Sequence, residues 1–331
     1  MSAVSAQTLR NHWAIERREL KNRGFALGPI DHLIGGRSLG TVVSESDVSL
    51  LIPVEPNDLF AESDDLIVSI RRATFNMGDG NEDFLQLACR NETLEVVFAQ
   101  LCSELIDAIN LSNCPGSDSR AMYDRWRALF AGRPGTSLSK SALVGLFGEL
   151  QTLHELLQAT SNREVSIWMG PEHSTHDFVR STHHIEVKTT TSRNELVVEI
   201  HGLEQLDVSE GEVLHLIVHR VSLSDNGFTI DDQIERLVTL GVDRIAIFEK
   251  LSQIGYDWAD TKDYGRFRFR IEETRGFKVD DHFPRIVRST FVNGASPRGV
   301  VRLTYSLDLT SPQVGELNRS QLLDLYQGFS G

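Results

Sequence analysis

His176-Asp-Phe-Val-Arg-Ser-Thr-His-His-Ile-Glu-Val-Lys188 is the stretch on which the fold turns. It reads as two short strands on either side of a tight turn at Ser181-Thr182. With those two residues as the loop, Arg180 faces His183, and the antiparallel register sets Asp177 across from Glu186. Side chains so opposed have Cβ atoms about 4.5–5.5 Å apart. Two carboxylates at that distance repel, and a hairpin gains from them only when a cation lies between. Period-two alternation puts Lys188 on the face of Glu186 and turns Phe178, Ile185 and Val187 to the opposite, core-packed face. Two acids and a lysine on one patch of sheet is the layout that a hard divalent cation and an activated water require.

Upstream, Ser137 to Ala159 is predicted as a helix, capped by Ser137 or Ser139, with Leu143, Leu146, Phe147, Leu150, Leu153 and Leu157 as its buried stripe. Glu149 interrupts that stripe. A carboxylate on a buried face costs several kcal/mol unless it is paired or holds a metal. Phe147-Gly148 before it lets the helix approach a sheet closely. Downstream, Val165–Met169, His176–Val179, Ile185–Thr190, Leu196–Ile200, Val213–Val218, Phe267–Ile271 and Val300–Leu307 read as strands. Gln233–Leu240 and Ile245–Ile254 read as helices. Residues 136–331 are therefore expected to form an α/β (α+β) domain with a mixed central sheet flanked by helices.

Residues 1–135 are expected to form a separate domain, β-rich and helical, with the boundary in Gly132-Arg-Pro-Gly135. Gln7 to Lys21 has helical spacing. The runs at 48–54, 66–73, 83–89 and 93–98 read as strands between turn residues. Helical spacing returns from Phe98 to Ile109 and from Arg120 to Phe130.

The chain has 331 residues, of which 40% are hydrophobic and 24% charged, which excludes a disordered or fibrous protein. No apolar run reaches the ~18–20 residues of a membrane span, and the N-terminus lacks a basic-then-apolar secretory pattern. The three cysteines stand in no Cys-x-x-Cys spacing, so neither a disulfide framework nor a zinc knuckle is expected. The expectation is a soluble cytoplasmic protein without a membrane partner. A formal net charge of −14 argues against a general polyanion binder. From Lys262 to Arg302, however, ten basic residues stand against five acidic ones. Within that segment Arg266-Phe-Arg-Phe-Arg270, on a strand, puts three arginines on one face and Phe267 and Phe269 on the core face. That is either a nucleic-acid contact or a charged, solvated edge.

Two other clusters carry less. Asp79-Gly-Asn-Glu-Asp83 lacks the Gly at position six and the acid at position twelve of a calcium loop, and reads as a hairpin turn. Five histidines fall between His154 and His184. The adjacent His183 and His184 point to opposite faces of a strand, and no cysteine lies nearby, so zinc is not the expected metal.

The set Glu149, Asp177 and Glu186-Val-Lys188 resembles the PD-(D/E)XK nucleases of the restriction-endonuclease-like superfamily. There an acid on a helix precedes an Asp at a strand start and a (D/E)-x-K on the next strand. Thr189-Thr190 is also common in such enzymes, whereas His176 stands where the motif's proline would. Gly145-Leu-Phe-Gly-Glu-Leu150, His201-Gly-Leu-Glu-Gln-Leu206 and Phe283-Pro-Arg285 are similar to a bacterial group of PD-(D/E)XK motif proteins found beside phage-defence or restriction components. The resemblance implies a Mg2+-dependent DNA endonuclease, with Mn2+ able to substitute. It implies Asp177, Glu186 and the Val187 carbonyl as metal ligands, with Glu149 holding the metal directly or through water. Lys188 would orient or deprotonate the attacking water. Gln205 would lie near the site, and His176 would touch substrate or pack. DNA is the implied partner. A homodimer and further defence subunits, such as an ATPase or helicase or a methyltransferase, are compatible with it. The alternative is a non-cleaving DNA- or protein-binding subunit that keeps the fold.

Overall fold

The computed structural model describes residues 4–20, 24–64, 68–76, 80–130, 138–207, 209–256, 264–294 and 298–329. Leu66, Asp79, Gly132–Gly135, Ser137 and Lys262, all used in the sequence reading, lie outside the described residues. The chain divides into two compact units, Met1–Pro134 and Gly135–Gly331. Among the described residues no helix is long and apolar enough to cross a membrane.

The first unit opens with α1 (Ala6–Glu19) and continues with β1 (Phe25–Ile34), β2 (Arg37–Ser44), β3 (Val48–Pro53), β4 (Ser63–Asp64), β5 (Val68–Asn76) and β6 (Asn81–Cys89). These strands form one antiparallel sheet in the order β1-β2-β3-β6-β5-β4. Then come α2 (Glu95–Ile109) and α3 (Pro115–Phe130). Three features differ from the sequence reading. Strand β1 was not foreseen, because Gly28-Pro29 breaks its alternation and the ladder with β2 shifts register between Pro29 and Leu33. Thr93–Phe98, expected as a strand, instead leads into α2, whose Val97, Phe98, Leu101, Cys102 and Leu105 are all buried at helical spacing. Finally, α3 starts at Pro115 rather than Arg120. Proline suits a first helical turn, and the Asp58 carboxylate accepts the free Gly116 and Ser117 N–H groups at 2.6 and 3.1 Å.

The second unit comprises α4 (Lys140–Gln158), β7 (Phe178–Arg180), β8 (His183–Thr190), β9 (Val197–His201), β10 (Val213–Phe228), α5 (Ile230–Thr239), α6 (Arg244–Gln253), β11 (Phe269–Val279), β12 (Thr304–Asp308) and α7 (Arg319–Gly328). Its main sheet runs β11-β10-β8-β7. β10 is parallel to β8, whereas β11 and β7 are antiparallel to their neighbours, so the sheet is mixed. β9 and β12 form a separate antiparallel pair. The β7–β8 ladder pairs Arg180 with His183, Val179 with His184 and Phe178 with Ile185. β7 is an edge strand, and Asp177 stands just before it.

The parallel register decides which side chains share a face. Glu186 lies beside Leu216 and Lys188 beside Val218. Leu214, Leu216 and Val218 pack with Val198, Ile200 and Leu307 of the β9–β12 pair. Thr189 lies beside His219, on the other face, which carries α4. There the buried His219 ring bridges Thr152 Oγ1 of α4 at 2.8 Å and Thr274 Oγ1 of β11 at 2.9 Å. Gly148 is what lets α4 lie this close. A methyl there would fall 1.9 Å from Thr189 Oγ1 and 3.2 Å from its Cβ.

The Val165–Met169 run is not a strand. It forms a 3-10 turn at Val165–Ile167 and a single antiparallel bridge from Trp168 to Phe178. Val165, Ile167 and Trp168 are all buried. A strand exposes alternate residues to two faces, and here one apolar plug packs beside the edge strand β7 before Gly170-Pro171 turns the chain.

Candidate active site

The site is assembled from α4, the turn at 165–172, the residue before β7, and β8. Helix α4 begins where Ser139 Oγ accepts the Ala142 N–H at 3.2 Å, and the six stripe residues from Leu143 to Leu157 named above are buried. Glu149 is half-buried at the margin of that stripe. Its Oε2 accepts the indole N–H of Trp168 at 2.8 Å.

Asp177 does not stand on a face of the sheet. Its Oδ2 accepts the backbone N–H of Val187 at 2.7 Å, so the carboxylate lies along the strand edge where the β7 ladder has ended. Its own carbonyl accepts the N–H groups of Met169 and Gly170 at 2.7 and 3.0 Å. Both polar groups of a strand residue point to the same edge, so the Val187 carbonyl faces the Asp177 side as well.

Glu186 is buried, at 2% exposure, and its Oε1 is 2.8 Å from Lys188 Nζ. The same ammonium donates to Gln205 Oε1 at 3.0 Å, and that oxygen also accepts the His201 N–H at 2.8 Å. Gln205 thus ties Lys188 to the end of β9.

The expected single-face layout is therefore corrected. Glu186 and Lys188 share one face, Glu149 comes from the helix on the other, and Asp177 sits between them at the edge. Gly170 marks where the last two meet, since a methyl there would lie 2.8 Å from Glu149 Oε2 and 3.0 Å from Asp177 Oδ1.

The three carboxyls disturb one another. Burial pushes the Glu149 carboxyl above its ordinary range, and neighbouring Asp177 adds to the rise. Burial raises Asp177 too, opposed by the Val187 N–H and by Lys188. Glu186 is raised well above its ordinary range, by burial and then by Asp177, with Lys188 only partly offsetting both. One cation among three acids leaves a local deficit of positive charge.

Among the described residues no group of three or more His, Cys, Asp or Glu side chains forms a ready-made metal cage. The chemistry of the donors nevertheless fits a hard divalent ion. Glu149, Asp177 and Glu186 offer only oxygen, all are disfavoured in their charged forms by burial, and each keeps one oxygen with no hydrogen bond among the described residues.

Other candidate residues fall elsewhere. His176 Nδ1 meets His184 Nδ1 at 3.1 Å, and both rings line a hollow with Glu204, Asp207 and Glu212, apart from Glu149, Asp177 and Glu186. Arg266 and Arg268 precede β11 instead of lying on it, so the one-face stripe of Arg266, Arg268 and Arg270 does not form. Arg268 is bound to Asp232 at 3.1 Å and to the Gly227 carbonyl, and Arg270 to Glu272 at 2.7 Å. Trp168 and Gly170 were missed. Their only sequence signal was an apolar run ending in Gly-Pro, which reads equally well as a strand.

A helix bearing an acid, followed by a mixed sheet with an Asp at a strand start and Glu-x-Lys on the next strand, defines the PD-(D/E)XK-like α+β class. The family model described as "Putative PD-(D/E)XK family member, (DUF4420)" matches residues 39–310, and the chain belongs to that family. The match takes in most of the first unit as well as the second. No curated protein and no solved structure matches the chain.

Proposed function

We propose that the protein is a metal-dependent DNA endonuclease of bacterial restriction or anti-phage defence. One observation carries the reading: Glu149, Asp177, Glu186 and Lys188 meet around the end of the β7–β8 hairpin in a chain of this family. Asp177, Glu186, the Val187 carbonyl and Glu149 would hold Mg2+, with Mn2+ able to substitute. A bound divalent ion supplies Lewis-acid polarisation of the phosphoryl group and lowers the pKa of water.

Lys188 has the remaining role. Its ammonium, held by Glu186 and Gln205, orients the attacking water and offsets the charge that gathers on the phosphoryl oxygens. Plasmid cleavage with Mg2+ by the wild type beside Lys188→Ala tests the reading. Nicking by the wild type alone supports it, and equal activity after chelation contradicts it.

The closed Lys188–Glu186 pair, with Arg268 and Arg270 bound internally, favours a second reading: a non-cleaving DNA- or protein-binding subunit of a defence complex. Metal-dependent nicking by the purified chain separates the two.

A further inference from the structure

One short segment, Val165–Glu172, touches two of the acids at once. The Trp168 indole N–H is on Glu149, the Met169 and Gly170 amides are on the Asp177 carbonyl, and Gly170 leaves room between the two carboxylates. The segment is itself clamped from α6. Lys250 is buried, and its ammonium donates to the Trp168 carbonyl at 2.6 Å and pairs with the Glu172 carboxylate. A buried ammonium is costly unless paired, so this lysine is a committed anchor rather than a surface charge.

We propose that Trp168 is a positioning residue for phosphodiester cleavage, aiming the Glu149 carboxylate through its indole N–H, with Lys250 fixing Trp168 in turn. The inference rests on the nuclease reading of the same acids. A buried indole N–H needs an acceptor, but a core tryptophan could find one in any nearby carbonyl. Here the acceptor is the one acid that comes from the opposite face of the sheet. The indole N–H takes Oε2 and leaves Oε1 with no partner among the described residues. The carboxylate is thus held in one rotation. Asp177 is treated likewise, its Oδ2 held by Val187 and its Oδ1 left open.

Trp168→Phe keeps the ring and loses only the N–H. Mn2+ binding by calorimetry and the Mg2+ dependence of plasmid cleavage are read together for wild type, Trp168→Phe, Glu149→Gln and the double variant. Partners that orient metal ligands are typically worth about 10–100-fold in metal affinity. Trp168→Phe should weaken Mn2+ binding and raise the half-saturating Mg2+ by about that factor, with turnover largely restored at saturating Mg2+. The effect should vanish on the Glu149→Gln background. Trp13→Phe is the control, since its indole N–H donates to the Ser49 carbonyl in the other unit. It should lower stability without moving metal dependence. Should Trp168→Phe fail to fold, Lys250→Gln carries the test, with a smaller shift in the same direction. Wild type that binds no Mn2+ overturns the nuclease reading and this inference with it. Wild type that binds Mn2+, beside a folded Trp168→Phe (or Lys250→Gln in its place) that binds it equally well, overturns the inference alone.

Discussion

The Asp177 carboxylate accepts the Val187 backbone N–H at 2.7 Å, so a side chain completes the strand edge where a peptide group would otherwise pair. The hydrogen bond fixes the acid in the plane of the sheet. From there it faces Glu149 on one side and Glu186 on the other, and it is the neighbour that raises both of their carboxyls most after burial itself.

Asp177→Asn follows from this placement. An Asn oxygen can still accept the Val187 N–H, while its amide would present a donor to Glu149 in place of a like charge. The variant should lose cleavage entirely yet melt at the same temperature as wild type or slightly higher without metal. Millimolar Mg2+ should raise the melting temperature of wild type by binding the folded state, and raise the variant's much less. Thermal melts of both proteins with and without Mg2+ check this. A variant clearly less stable than wild type, with no Mg2+ shift in either, would mark the acids as a structural cluster.

Gly170→Ala tests the space between the acids without replacing any of them. The φ of Gly170 lies outside the left-handed region, so alanine fits the backbone. Its methyl would press on Glu149 Oε2 and Asp177 Oδ1, the movable ends of side chains. Stability should therefore change by about 1 kcal/mol or less, while cleavage falls tenfold or more, because misplacement by even ~1 Å can cost a hundredfold. Unfolding curves and initial rates at fixed Mg2+ separate the two effects.

Helix α4 and its acid were legible because an amphipathic stripe six residues strong makes an acid among its residues visible, although Glu149 lies at the margin of the stripe rather than within it. The hairpin register was legible because only two residues, Ser181 and Thr182, remain for its turn. The direction of Asp177 was not. Period-two alternation assigns side chains to faces, but it holds only inside a ladder, and Asp177 is one residue outside it. The arginines of 266–270 misled for the same reason, since the strand starts at Phe269 and an acid on α5 captures Arg268. Trp168 could not be read at all. Its role comes from meeting a residue 19 positions away, and Val165-Ser-Ile-Trp-Met169, four apolar residues around one serine, fits a strand or a plug equally.

In the second unit, His219 should make the protein acid-sensitive. Burial pushes its pKa down from 6.5 to about 4, so the folded state holds it neutral between two threonine hydroxyls. Below pH 6.5 the unfolded chain takes up a proton that the folded chain refuses. The stability is complete above that value and is lost as pH falls towards 4, on the order of 3 kcal/mol in all. His219→Gln should be less stable at pH 7, for want of one bridge, but should lose less on going to pH 5. Denaturant titrations at the two pH values measure the difference. Parallel pH dependence in both proteins would remove His219 from the account.

Glu16 predicts the opposite slope for the first unit. Its side chain is buried under β1 and β2, where Thr41 Oγ1 donates to Oε1 and Oε2 has no partner among the described residues. Gly28 is the reason it fits, because a methyl there would fall 2.2 Å from Oε1. Burial raises the carboxyl pKa from 4.5 to about 7, outweighing the Thr41 hydrogen bond. A raised folded-state value means that the contribution is complete below pH 4.5 and disappears as pH climbs through 7. The charged form then costs on the order of 3 kcal/mol. Glu16→Gln keeps the acceptor for Thr41 and removes the charge. It should stabilise the first unit at pH 8 by roughly 1–3 kcal/mol, with the gain shrinking to nothing near pH 4.5. Amide exchange of the β1–β2 ladder at the two pH values reads that unit without relying on a single global melt. Equal protection in wild type and variant at pH 8 would mean that the carboxylate reaches solvent and carries no such cost.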